Sequence, residues 1–168
     1  YGENKVQEAL GKWSDIKAKN KNLILHLIGK LQTNKVKFAV PLFDYIHSLD
    51  NEKLAEKISS VQKNLNLKPK IFIQVNIGDE QQKNGIKINE LESFIKESTV
   101  SLGLDIIGLM CIPPNDEKPD NYFKTMKELN DQFKFSELSM GMSSDYLRAL
   151  QFGSTFVRIG SKIFGKRN

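Results

Sequence analysis

Two short segments near the carboxyl end of the chain combine residue types that can grip a phosphate. The first, Leu138-Ser139-Met140-Gly141-Met142-Ser143-Ser144-Asp145, reads as a strand ending in glycine, with two hydroxyls ahead of a helix. Ser143 or Ser144 can cap that helix and also donate to an anion, and the unpaired N–H groups of a first helical turn add positive potential. The second, Phe156-Val157-Arg158-Ile159-Gly160-Ser161-Lys162-Ile163-Phe164-Gly165, runs a strand into Gly-Ser. Gly160 lets the backbone approach a ligand closely, and Ser161 offers a further N–H and O–H. On spacing alone, an ordinary cap and an ordinary turn explain these residues as well as a phosphate cup does. Arg158 shifts the balance toward a ligand. Of the three arginines, Arg148, Arg158 and Arg167, it alone sits in an apolar strand, between Val157 and Ile159. A permanently charged fork there needs an acceptor, which is either a carboxylate in the core, a bound anion or an acceptor nitrogen.

Other chemistry-bearing residues carry weaker signals. His26, in Leu23-Ile24-Leu25-His26-Leu27-Ile28-Gly29, and His47, in Phe43-Asp44-Tyr45-Ile46-His47-Ser48-Leu49, stand on separate strands with no matching carboxylate pattern. They read as hydrogen-bonded barrel-lining residues ahead of a metal or acid–base pair. Asn4 either begins a helix or faces the barrel mouth. Lys83 reads as a solvated loop lysine, with ligand contact the less favoured alternative. Cys111, the single cysteine, lies in an apolar run that also holds Met110. It reads as an inert buried thiol, because a reactive thiolate needs a polar, cationic setting.

The elements that must position these groups alternate. Apolar strand candidates at 23–28, 43–48, 70–76, 104–112, 137–140 and 155–159 are separated by helical stretches at 3–13, 32–39, 51–65, 89–97, 120–132 and 144–152. That order predicts parallel strands joined by crossover helices, an α/β fold. In the 51–65 helix, Leu54, Ile58, Val61 and Leu65 recur at three and four residues as one apolar stripe. Asn89 and Asp120 are candidate N-caps. Six strand–helix units without a dinucleotide-binding glycine fingerprint suit part of an eight-fold barrel better than a doubly wound open sheet. A complete barrel takes about 200 residues at minimum, more than the 168 present.

Bulk properties bound the function. The length and 39% hydrophobic content support one domain spanning 1–168. Apolar runs are too short to cross a bilayer. A net charge of +5 comes from lysines scattered among acids, as in Glu52-Lys53 and Glu56-Lys57, which describes a solvated surface and no nucleic-acid face. A lone cysteine fits a reducing cytoplasm. The chain opens Tyr-Gly-Glu-Asn-Lys, without an initiator Met, signal core or transit character, and it is expected to be the cut end of a longer protein.

The motifs Tyr-Gly-Glu-Asn-Lys-Val-Gln-Glu, His-Leu-Ile-Gly-Lys-Leu-Gln-Thr-Asn-Lys, Ile-His-Ser-Leu-Asp, Gln-Val-Asn, Gly-Leu-Met-Cys-Ile-Pro-Pro, Leu-Ser-Met-Gly-Met-Ser-Ser-Asp and Gly-Ser-Thr-Phe-Val-Arg-Ile-Gly-Ser-Lys-Ile-Phe-Gly occur in that order. In this the chain resembles the pyridoxal 5′-phosphate (PLP) homeostasis family, also known as the YggS or proline-synthase co-transcribed (PROSC) family. The resemblance implies a TIM-type (β/α)8 barrel of the alanine racemase N-terminal type, here lacking the first strand and most of the second. It implies that Ser143 or Ser144, with Gly160 and Ser161, hold the cofactor phosphate, that Arg158 faces the pyridine nitrogen, and that Asn4 and Met110 lie near the ring. Ser161 stands where threonine is more usual and keeps the hydroxyl. An arginine at the ring nitrogen leaves it unprotonated and weakens the electron sink that PLP enzymes use. The implied role is therefore non-catalytic buffering or delivery of PLP, with PLP-dependent apoenzymes as possible recipients and a monomer favoured for the full-length form. A racemase-like PLP enzyme is the alternative, though racemases of this fold take a second acid–base residue from another domain. The Schiff-base lysine of the family sits on the first strand, upstream of Tyr1, so no lysine here inherits that role. The same gap is expected to leave strand edges exposed, open to aggregation or pairing.

Overall fold

Strand and crossover helix alternate along the whole chain, because each apolar run is covered on its outer face by the amphipathic segment that follows it. The computed structural model describes residues 1–80, 84–114 and 119–165. Seven strands, β1 (Gly2–Glu3), β2 (His26–Leu27), β3 (Tyr45–Leu49), β4 (Lys70–Val75), β5 (Asp105–Cys111), β6 (Glu137–Met142) and β7 (Phe156–Arg158), form one sheet in sequential order. Every pairing is parallel. Between them run α1 (Val6–Lys19), α2 (Val36–Leu42), α3 (Glu52–Leu65), α4 (Leu91–Lys96), α5 (Asp120–Gln132) and α6 (Tyr146–Gln151), with α7 (Ser161–Phe164) after β7. The sheet curls until Phe156 on β7 approaches His26 on β2 and Tyr45 on β3, each with ring centroids 5.6 Å apart. It is a nearly closed, incomplete (β/α)8 barrel with β1 and β7 at its two ends, as the strand count predicts. No helix among the described residues is long and apolar enough to cross a membrane.

Parallel strands project alternate side chains to opposite faces. Ile71, Ile73, Val75, Leu109, Cys111, Leu138 and Met140 point outward and join helix residues such as Leu54, Ile58, Leu91, Phe123 and Ala149 in one apolar cluster. Phe72 and Met110 are equally buried but stand outside that cluster, because they face the lumen. Gly108 lies between these layers, opposite Glu137 in register. A Cβ added there would fall 1.9 Å from the Glu137 carbonyl oxygen. Gly108→Ala therefore has to separate β5 from β6, and we expect a loss of roughly 3 kcal/mol, the upper range for overpacking, measurable as a lowered midpoint in urea unfolding. An unchanged midpoint would contradict this register.

Several local expectations need correction. Glu3 belongs to β1, and the first helix starts at Val6 and runs on to Lys19. Leu65 is 46% exposed, so the buried stripe of α3 ends at Val61. That helix is capped at its start by Asn51, whose Oδ1 accepts from Leu54 N–H at 2.9 Å. Asn89 is not a cap, because it lies within a 3₁₀ turn, Ile88–Glu90, that leads into α4. Asp120 is the first residue of α5; Pro119, with its φ of −68°, occupies the position before it.

Candidate cofactor site

The period-two alternation of the strands places a line of polar and aromatic side chains inside the barrel. Tyr45 and His47 come from β3, Phe72 from β4, Met110 from β5, Ser139 from β6 and Phe156 and Arg158 from β7. Their rings pack on one another: His26 stacks on Tyr45 and His47 on Phe72, both at 4.3 Å between centroids. Within this wall Arg158 donates from Nη1 to Ser139 Oγ at 2.8 Å and from Nη2 to the Cys111 carbonyl oxygen at 2.7 Å. No carboxylate among the described residues bonds it; Asp145 acts on it only at longer range. The core-carboxylate explanation of Arg158 is thus set aside. Burial lowers the guanidinium pKa from its ordinary value. The N–H donors not engaged by Ser139 and Cys111 are available for a ligand acceptor.

His26 and His47 are hydrogen-bonded lining residues, as expected. His26 Nδ1 lies 3.0 Å from His47 Nε2, and His47 Nδ1 lies 2.9 Å from Ser139 Oγ. Burial, with the charges of His26 and Arg158 adding to it, takes His47 down to about 2. Burial likewise lowers His26 to about 4, less far because its ring is half-exposed. Both are neutral at pH 7. The described residues contain no cluster of three or more His, Cys, Asp or Glu side chains placed to hold a metal. Cys111 is fully buried, and burial pushes its thiol up to about 12, which leaves it unreactive.

The two cup segments meet above this wall, at the carboxyl ends of β6 and β7. Gly160 N–H donates to Ser143 Oγ at 3.2 Å, joining the loop after one strand to the loop after the next. Ser144 and Ser161 are exposed beside them. Neither Ser143 nor Ser144 caps the following helix, contrary to the simplest expectation. Asp145 precedes α6 and its Oδ1 accepts from Met142 N–H at 2.6 Å, closing the turn and freeing Ser144 from that task. The two glycines differ. Gly141 has φ +93° and a Cβ there would meet Ala149 at 2.6 Å, so the fold requires it. At Gly160 a Cβ would meet nothing within 4 Å and φ is −121°, so the fold alone does not.

The remaining candidates take these places. Met110 is fully buried in the lumen and pairs in register with Ser139. Asn4 is exposed just past β1, packed against Gly29 in the loop after β2. Lys83 lies outside the described residues. Two partners of Arg158 escaped sequence reasoning: Ser139, quoted without a role, and the backbone carbonyl of Cys111. Alternation with His47 and Arg158 on the lumen face is the signal that could have marked Ser139.

The chain that carries this lumen cation and the loops above it is similar along its length to known proteins. The model of the alanine racemase N-terminal domain covers residues 1–168. The pyridoxal phosphate homeostasis protein of Aquifex aeolicus is 39% identical over 176 residues, covering 99% of this chain and 76% of that protein. The chain belongs to the pyridoxal phosphate homeostasis protein family. The Haemophilus influenzae member is also 39% identical, with 100% of this chain and 75% of that protein aligned. PipY of Synechococcus elongatus, solved with PLP bound, superimposes with a TM-score of 0.87 at 33% identity over 98% of this chain and 80% of PipY. The chain thus spans about three quarters of the length of these family members.

Proposed function

We propose that this chain binds PLP at the carboxyl ends of β5 to β7 and contributes to holding the cofactor for buffering or delivery, without turning it over. The observation that carries the proposal is Arg158, a lumen cation with two fixed partners and no carboxylate partner among the described residues. An unprotonated pyridine nitrogen is an acceptor of the kind its remaining N–H groups require. In the cup, Ser143 or Ser144 with Gly160 and Ser161 meet the phosphate, while Asn4 and Met110 border the ring. When bound, PLP supplies an aldehyde and an electron-withdrawing ring. A guanidinium cannot give up a proton near neutral pH, so Arg158 leaves the ring nitrogen uncharged and that withdrawal weak. This favours storage over catalysis. PLP-bound PipY, a relative at 33% identity, supports the ligand assignment. We further place the protein in the cytoplasm as one PLP-binding domain, with PLP-dependent apoenzymes as recipients.

Gly160 provides a clean test, because its lack of a side chain serves the ligand and not the fold. Gly160→Ala should leave the thermal midpoint within about a degree, since the added methyl meets nothing. It should weaken PLP binding about tenfold by crowding the phosphate, in line with the loss of one good charge-assisted contact. Calorimetric titration checks the affinity, and equal affinity in the variant would remove Gly160 from the cup.

A further inference from the structure

Arg158 cannot accept a hydrogen bond, so in its contact with Ser139 the serine oxygen must be the acceptor. Ser139 is fully buried, and its only other side-chain partner among the described residues is His47 Nδ1. If His47 donated from Nδ1, the hydrogen of this fully buried serine would face no acceptor among the described residues, at a cost of about 1–3 kcal/mol. The serine O–H therefore donates to Nδ1. That places the His47 proton on Nε2, aimed at His26 Nδ1 3.0 Å away, and leaves the His26 proton on its own Nε2. From the guanidinium to His26, every donor points the same way.

We infer that Ser139 and His47 are positioning residues for Arg158, forming with His26 a one-directional hydrogen-bond chain that fixes the guanidinium fork for a ring-nitrogen acceptor. Donation from Ser139 to His47 enriches the serine oxygen and strengthens its hold on Nη1, while the Cys111 carbonyl fixes Nη2. With both ends tied, the plane of the fork is set before a ligand arrives. This inference rests on the PLP assignment for its ligand, but the chain itself is a property of the protein without ligand.

Nitrogen-15 NMR of the imidazoles in the ligand-free 168-residue protein at pH 7 tests the chain directly. The expected result is His47 neutral, with Nδ1 a bare acceptor and the proton on Nε2. An Nδ1–H tautomer or a doubly protonated ring overturns the inference. The positioning role is read from affinities for PLP and inorganic phosphate. In His47→Leu the PLP affinity should fall about tenfold relative to phosphate, and His47→Asn, whose side-chain oxygen can still accept from Ser139, should recover most of it. An unchanged ratio in His47→Leu, or no recovery in His47→Asn, refutes positioning. If the unsubstituted protein binds neither PLP nor phosphate, the ligand assignment fails, and the tautomer still decides the chain.

Discussion

Arg158→Ala is expected to lower PLP affinity by roughly 10- to 100-fold, the weight of a charge-assisted hydrogen bond lost from a partly buried site. The substitution removes more than the ligand contact. Ser139 Oγ and the Cys111 carbonyl lose the donors that now reach them at 2.8 and 2.7 Å. The lumen then has a void beside Ser139 and the Cys111 carbonyl. A stability loss of about 1–3 kcal/mol should accompany the affinity loss. Arg158→Lys separates the two effects. It keeps the charge but cannot reach two partners in one plane and a ligand as well, so affinity should remain low while much of the stability returns. Calorimetric titration with PLP and urea unfolding of both variants give the two numbers. Full affinity in Arg158→Lys would mean that charge, and not the oriented fork, is what the ligand needs.

The second large effect is acid sensitivity arising from His47. Its imidazole titrates near 6.5 when unfolded and at about 2 when folded. Between those values the unfolded chain takes up a proton that the folded chain refuses. The associated stability is complete above pH 6.5 and declines as pH falls toward the folded value, by about 1.4 kcal/mol per pH unit. Near pH 4.5 that amounts to nearly 3 kcal/mol from this residue, on the order of a quarter to a half of a typical domain's margin. His26, lowered to about 4, acts in the same direction and more weakly because its ring is half-exposed. Carboxylates titrate in this range too, so the decisive comparison is with His47→Leu. Urea unfolding at pH 7, 5.5 and 4.5 should show a shallower decline in the variant. Parallel declines would exonerate His47.

Which features were legible in the sequence follows from what each side chain reports about its surroundings. Six of the seven strands, β2 to β7, stood out because parallel strands buried on both faces read as apolar runs, and a helix was expected near each of α1 to α6. The helix over them reads as a three-and-four stripe. β1 did not stand out, since two residues, Gly2 and Glu3, carry no periodicity. Leu65 looked like core because spacing says nothing about where a helix outruns its sheet. Caps misled at Asn89 and Asp120 for a related reason: a 3₁₀ turn and a proline had already begun those helices.

In the site, Arg158 was legible because a guanidinium inside an apolar strand is energetically conspicuous. Ser139 was not, because a buried serine in a strand looks like filler until its partners are known. Gly141 and Gly160 are the same residue type in adjacent loops. Only the backbone separates a glycine held at φ +93° against Ala149 from one with open space where a side chain would go. The histidines lay between these extremes. Their strand positions predicted a lining role, but their contact with each other depends on the β2–β3 register, and their contacts with Phe156 and Ser139 depend on the curl that brings β2 and β3 toward β6 and β7.

The central claim is that these residues together form a PLP site. Equilibrium dialysis of the 168-residue protein against PLP, with pyridoxine 5′-phosphate as competitor, tests it most directly. The competitor keeps the phosphate and ring nitrogen but lacks the aldehyde, so it reports the grip of Arg158 and the cup without capture by surface lysines. We predict one saturable site per chain, displaced fully by pyridoxine 5′-phosphate. PLP uptake that does not saturate, or that the competitor leaves in place, would contradict the account.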